Sequence, residues 1–268
     1  MITQIGSVKN QLIKEIVVLK SKSRERNKKK LIVIEGQKEV SLALISGIEI
    51  EKILYCSDII DFGDIENLFQ DKIGSIPVFE LSKEVFSKIS YRESTEGIIV
   101  VAKSPQKELS DLKVNSNSVF IILESVEKPG NLGAIARIAD GAGVSGIIIC
   151  DPLTDIFNPN AIRASLGCVF TTDVVVSDFE KTKEWLTQNQ IKSFAAELNA
   201  ANFYQYTDVS GRIAFVFGTE ATGLTEKWIK GADARIKIPM LGEIDSLNVS
   251  TSVAVLVYDA MRQREFLV

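Results

Sequence analysis

The stretch Val119–Cys150, VFIILESVEKPGNLGAIARIADGAGVSGIIIC, decides the fold. VFIIL at Val119–Leu123 is apolar at every position, and so is IIIC within GIIIC at Gly146–Cys150. Runs of this kind mark strands covered on both faces, which occur in parallel sheets sandwiched by helices. Between the two runs, a turn at Lys128-Pro129-Gly130 leads into the small-residue segment Leu132–Ala142, a helix, with Asn131 placed as its N-cap. Strand, helix and strand within about thirty residues form a βαβ unit.

Outward from that unit the pattern repeats. DVVV at Asp173–Val176 and IAFVF at Ile213–Phe217 predict further strands, and helices fit Asn160–Leu166, Asp178–Asn189 and Val249–Arg262. Toward the N-terminus, a helical pattern spans Gln11–Leu19. It is followed by a strand LIVIEG at Leu31–Gly36 and a helix over Gln37–Ile45. The strand IEKILYC at Ile50–Cys56 comes next, then a helical stretch at Ile65–Gln70 and the strands PVFEL at Pro77–Leu81 and GIIVVAK at Gly97–Lys103. The polar run Ser104–Ser118, SPQKELSDLKVNSNS, has the composition of a linker. The expected organisation is a smaller α/β domain over 1–104, a linker over 105–118 and a parallel-sheet α/β domain over 119–268.

Composition narrows the chemistry. The 268 residues include no histidine, which excludes Ser-His-Asp, Cys-His and HExxH mechanisms. There is no GxxxxGK[ST] run to cradle a nucleotide triphosphate, and the glycine-bracketed loop of IAFVFGTEATGL does not fit the GxGxxG of a dinucleotide site. Three scattered cysteines, Cys56, Cys150 and Cys168, suit neither a disulfide framework nor a four-ligand zinc site, so no metal is expected and the thiols are read as structural. With 46% hydrophobic and 25% charged residues, no apolar run of bilayer length and no signal-peptide core, the chain is expected to stay in the cytoplasm. The net charge of −4 hides a concentrated basic segment, KSKSRERNKKK at Lys20–Lys30, which is either a solvated loop or an RNA-contacting strip.

Three motifs carry candidate chemistry. In the first, Gly133 lies one helical turn before Arg137, so Arg137 can lean back over it toward Asn131 at the carboxyl end of a strand. The plainer alternative is a cap plus a surface arginine. In the second, IAFVFGTEATGL at Ile213–Leu224, Glu220 sits between Gly218 and Gly223 where a strand empties into a loop, and the glycines permit close backbone approach. In the third, IKIPMLGEIDSLNVS at Ile236–Ser250, the groups of Ser246, Asn248 and Ser250 either cap a helix or bind a polar ligand.

Taken in order, N-x-G-x-x-x-R, G-x-E-x-x-G-L and IPM-x-G-(x)₃-SLNVS resemble the SpoU (TrmH-like) family of RNA 2′-O-ribose methyltransferases, of the SPOUT superfamily. The resemblance is strong over Val119–Arg262. It is looser over the N-terminal unit, including SYRESTEGIIVVA at Ser90–Ala102, which is similar to the family's substrate-binding domain of kink-turn-binding ribosomal-protein type.

The resemblance implies a deep trefoil knot in the C-terminal domain, a homodimer, and S-adenosyl-L-methionine against Gly218, Ile238, Met240, Leu247 and Asn248. It also implies a catalytic surround of Asn131, Arg137, Glu220, Ser246 and Asn248, with structured RNA as substrate, ribosomal RNA in preference to tRNA. The family's proposed base matches Arg137, but a guanidinium with a pKa above ~12 stays charged. Arg137 is therefore expected to clamp a phosphate, with the hydroxyl proton passing to a phosphate oxygen or water. Lys128 stands where many members carry an acidic residue, and Asp259 where a glutamate is frequent. A non-catalytic RNA-binding protein on the same fold and a small-molecule enzyme of dinucleotide type are the competing readings. The four polar residues Asn131, Arg137, Glu220 and Asn248 disfavour the first, and the lack of a glycine fingerprint in a strand-to-helix turn disfavours the second.

Overall fold

The computed structural model describes residues 2–91 and 96–266. The chain forms two compact units, one of residues 1–105 with 156–171 and the other of residues 106–155 with 172–268. The family-like segment Ser90–Ala102 lies partly outside the described residues, at 92–95. No helix among the described residues is long and apolar enough to cross a membrane.

In the first unit the elements are β1 (Ile2–Ile5), α1 (Gln11–Ser21), α2 (Ser23–Lys29), β2 (Leu31–Glu35), α3 (Gln37–Ile45), β3 (Ile50–Tyr55), α4 (Phe62–Phe69), β4 (Val78–Leu81), α5 (Lys83–Ile89) and β5 (Ile98–Lys103). The sheet order is β1-β4-β3-β5-β2, parallel across β1, β4 and β3 and antiparallel where β5 meets β3 and β2. Ile13, Ile16 and Leu19 recur at helical spacing on α1 and pack with Val33, Leu54, Phe86 and Val101.

The basic segment is mostly helical instead of a loop, closing α1 and forming α2. Arg26 turns inward, its Nη1 donating to the carbonyls of Leu19 at 2.6 Å and Lys20 at 3.2 Å, while Lys20 pairs with Glu35 at 2.7 Å. Two of the segment's cations are thus spent on joining α2 and β2 to α1. Lys28 and Lys29 fall in the last turn of α2, where the helix dipole favours positive charge.

In the second unit the chain runs β6 (Val119–Glu124), α6 (Pro129–Ala142) and β7 (Gly146–Cys150). An excursion then carries α7 (Pro159–Ala164) and α8 (Cys168–Thr171), which group with the first unit. The second unit continues with β8 (Val174–Ser177), α9 (Phe179–Gln188), β9 (Lys192–Ala196), β10 (Asn202–Phe203), β11 (Ile213–Phe217), α10 (Glu226–Gly231), β12 (Ala234–Lys237) and α11 (Val249–Gln263). Its seven strands are all parallel, in the order β10-β12-β9-β11-β6-β7-β8.

One face of this sheet buries Phe120, Ile122, Ile148 and Val175 against Trp185, Leu186 and Trp228. Phe120 meets Trp185 edge-on at 5.1 Å, and Phe179 meets Trp228 edge-on at 4.9 Å. Helix α11 packs on α6 and on strands β6 and β11. The polar run before β6 contributes buried Leu112 to this core, with Leu109 and Val114 packed beside it. Strands β9 and β10 escape sequence patterning, because KSFAA is short and alternates little and NF is a two-residue edge pairing.

None of the three cysteines forms a disulfide, and Cys56 and Cys150 are buried. Burial pushes the Cys150 thiol up to about 12, against a weaker opposing hydrogen bond with Thr182 at 3.3 Å. Reaction needs thiolate. In the native protein at pH 8, a disulfide-exchange reagent is expected to titrate no more than the half-buried Cys168, with Cys56 and Cys150 reacting only after denaturant is added. Fast labelling of all three thiols in the folded protein would contradict this packing.

Candidate active site

The seven-stranded sheet changes direction at β6, whose neighbours are β7 on one side and β11 on the other. Open α/β sheets hold ligands outside the carboxyl ends of strands at such a switch point. To the β11 side of it, the second unit has a cavity of about 590 Å³, lined by the segments at the ends of β9, β11 and β12 and by the start of α11.

The strand β11 empties into a loop that folds back on itself. Thr219 N–H donates to the Gly223 carbonyl at 3.1 Å, and Gly223 N–H returns the bond to Thr219 at 3.0 Å. A Cβ on Gly218 would stand 2.2 Å from the Gly223 carbonyl carbon and 2.4 Å from the Leu224 nitrogen, so only glycine fits there. Gly223 adopts a φ of +69°, which glycine takes without strain. The loop's far end is fixed by Glu124, 4% exposed at the end of β6. Its carboxylate accepts from Thr225 N–H at 2.8 Å and Thr225 Oγ1 at 2.7 Å. A hairpin tied at both ends therefore presents Glu220 outward.

Helix α6 starts earlier than sequence patterning places it. Its N-cap is Lys128 and its first residue Pro129, whose fixed φ and missing N–H suit that position. Asn131 is the third helical residue instead of the cap, and its side chain is released for other work. Its Nδ2 donates to Glu220 Oε1. Asn248 is the N-cap of α11, its Oδ1 accepting from Ser250 N–H at 2.9 Å and Ser250 Oγ at 2.6 Å. The other end of the same amide donates to Asn131 Oδ1 at 3.3 Å and Glu220 Oε1 at 3.4 Å. The two alternatives for Asn248, cap and site residue, are both realised, because an amide has an acceptor end and a donor end.

The structure thus brings Asn131, Glu220 and Asn248 into one hydrogen-bonded cluster. Gly218, Glu220, Ile238, Met240, Ser246, Leu247 and Asn248 all line the cavity. Arg137 does not join them. It is exposed, Gly133 beneath its turn is buried, and its side chain makes no hydrogen bond or ion pair among the described residues. The cation that reaches the cluster is Lys128, whose ammonium pairs with Glu220 Oε2. Sequence reading also missed Ala196–Asn199, which end and follow β9 and line the cavity. The small residues of AAELNAA were the available signal.

Comparisons with known proteins show the class to which this fold belongs. The SpoU rRNA Methylase family model matches residues 118–258, more than half of the chain, and the MRM3-like substrate binding domain model matches residues 10–100. The 23S rRNA (guanosine(2553)-2′-O)-methyltransferase RlmP of Bacillus subtilis is 29% identical over 95% of this chain and 98% of its own. An AdoMet-bound rRNA methyltransferase from Sinorhizobium meliloti superposes with a TM-score of 0.90 at 27% identity, covering 97% of this chain and 98% of that one. A solved RNA 2′-O ribose methyltransferase superposes at 0.84 with 31% identity, over 98% of this chain and 100% of its own. The chain belongs to the SpoU rRNA methylase family.

Gly218→Ala is expected to destabilise the second unit by about 1–3 kcal/mol, because the added methyl meets backbone that cannot swing aside. Urea denaturation followed by tryptophan fluorescence reads this directly. A variant as stable as the parent would mean the loop is not held as described.

Proposed function

We propose that the chain transfers the methyl group of S-adenosyl-L-methionine to a ribose 2′-hydroxyl in structured RNA, with 23S ribosomal RNA favoured over tRNA. The observation that carries it is the Asn131–Glu220–Asn248 cluster at a cavity of cofactor size. Full-length similarity to relatives named for rRNA supports the choice of substrate. A functional division into a substrate-binding domain over 1–104, a linker over 105–118 and a methyltransferase domain over 119–268 is supported by family models over 10–100 and 118–258, although Leu112 of the linker packs in the second unit and 156–171 group with the first. A trefoil-knotted threading, a homodimer and a cytoplasmic location belong to the same proposal. The shared fold at a TM-score of 0.90 supports the first, and exposed Leu241, Ile244, Tyr258 and Phe266 in the second unit offer apolar surface for the second.

The residues fit the cofactor. Gly218 removes side-chain bulk where backbone must approach, and Leu224, Ile229, Ile236, Ile238 and Leu247 supply apolar lining for a planar base. Met240 and Asn248 stand beside them. When bound, the sulfonium supplies an electrophilic methyl group. The chain's part is to orient the ribose and find a place for the hydroxyl proton.

No histidine exists to take that proton, and a guanidinium or ammonium cannot take it while charged. Glu220 is the anion of the cluster. Two amides hold its Oε1, which fixes the carboxylate's orientation in advance of substrate. Arg137, exposed on α6, would clamp the phosphate next to the target ribose, and Ser246 offers a further hydroxyl at the cavity wall.

The test is methyl transfer from labelled cofactor to a 23S rRNA transcript, with calorimetry of the cofactor alone. Glu220→Ala is expected to lower kcat about 100-fold while cofactor affinity changes less than tenfold. Failure of the parent to bind S-adenosylmethionine, or full turnover by Glu220→Ala, would sink the proposal.

RNA as partner draws on the first unit as well. Lys22, Arg24, Lys28 and Lys29 are exposed, and their side chains have no hydrogen-bond or ion-pair partner among the described residues. Arg24 and Lys28 are like charges one turn apart, which disfavours the isolated helix. Changing these four to glutamine should leave thermal stability unchanged and flatten the dependence of log Kd for rRNA on log salt by about 3, close to 0.7–0.9 per lost phosphate contact. Unchanged salt dependence would mark the strip as solvated surface only.

A further inference from the structure

Lys128 occupies an unusual position for the residue type. As N-cap of α6 it gives the helix no side-chain cap, because an ammonium has no acceptor for the free N–H groups. Pro129 fixes the backbone after it, so the ammonium hangs on a flexible four-carbon stem from a rigid base. That stem carries the charge to Glu220 Oε2, the oxygen that Asn131 and Asn248 leave alone. The lysine side chain is 69% exposed and the glutamate 28%.

We propose that Lys128 is a second cation, besides Arg137, through which this site engages the RNA backbone. Its ammonium rests on Glu220 until RNA enters, then exchanges that carboxylate for a phosphate oxygen beside the target ribose. The exchange leaves Glu220 Oε2 open to accept from the 2′-hydroxyl. The proposal rests on the RNA methyltransferase reading above.

Three features carry it. An exposed ion pair adds little net stability and is readily traded for another anion. Lysine's compact, rotatable charge suits such a trade better than the rigid fork of arginine. And with Oε1 engaged twice, Oε2 is the oxygen left to substrate, and there the Lys128 ammonium neutralises its charge and competes for its approach until it leaves. The two amides are set on helices α6 and α11, so the partner able to leave is the lysine.

The experiment measures binding of a 23S rRNA transcript to the full chain across a salt series, for the parent, Lys128→Arg and Lys128→Met, with cofactor affinity measured alongside. Lys128→Met should lose about 0.7–0.9 from the salt slope, one phosphate contact. Its KM for RNA should rise about tenfold, more than kcat falls, while Lys128→Arg keeps the parent's slope and all three bind S-adenosylmethionine alike. A parent-like slope in Lys128→Met together with a fall in kcat would show that the lysine only positions Glu220 and would overturn the proposal. A parent that neither binds nor methylates rRNA would overturn the underlying function too, and so the two failures are distinguishable.

Discussion

The second unit depends on one close approach, the backbone of Gly218 lying against the carbonyl of Gly223 with no room for a side chain. Because the strand end and the returning loop touch there, the loop must be a tight hairpin. Its return leg is held by Thr225 on buried Glu124, so a carboxylate at the end of β6 fixes a turn that follows β11. Everything at the tip follows. Glu220 is thrust out where Asn131 from α6 and Asn248 from α11 can both reach it, beside a cavity whose lining includes Gly218, Leu224, Ile236 and Leu247.

In the function proposed above, the cluster would let a chain without histidine organise proton chemistry. A buried imidazole would serve as donor and acceptor at once, whereas here those roles are divided between amides and a carboxylate. Each amide is used at both ends. Asn248 caps α11 with its oxygen and ties the cluster with its nitrogen, so the helix start and the site are set by one residue. Arg264 does comparable structural work at the far end of α11, with Nη1 on the Ala260 carbonyl at 2.8 Å and Nε on that of Asn117 at 3.2 Å. It is buried and outside the site.

The fold class was legible because buried parallel strands leave an unmistakable trace. VFIIL, GIIIC and IAFVF are apolar throughout, and only a sheet covered on both faces tolerates that. Where strands were short or at an edge, as with KSFAA and NF, the trace failed, since pairing partners and not local pattern make them strands. The start of α6 was misplaced for a related reason. Asparagine is a strong N-cap by propensity, but Pro129 two residues earlier already supplies the φ that opens a helix.

Sequence by itself determined the α/β class, the excluded chemistries and, through three ordered motifs, the family and most of the cavity's lining. Those are properties of residue type and spacing along the chain. Tertiary structure decided which polar groups meet. It joined Asn131, Glu220 and Asn248, residues 28 to 117 positions apart, left Arg137 outside and brought Lys128 in. It also sorted the cations of Lys20–Lys30 into inward and outward ones. The reason is physical: a hydrogen bond reaches about 3 Å and needs direction, and helix phase and loop path set both only once the sheet has assembled.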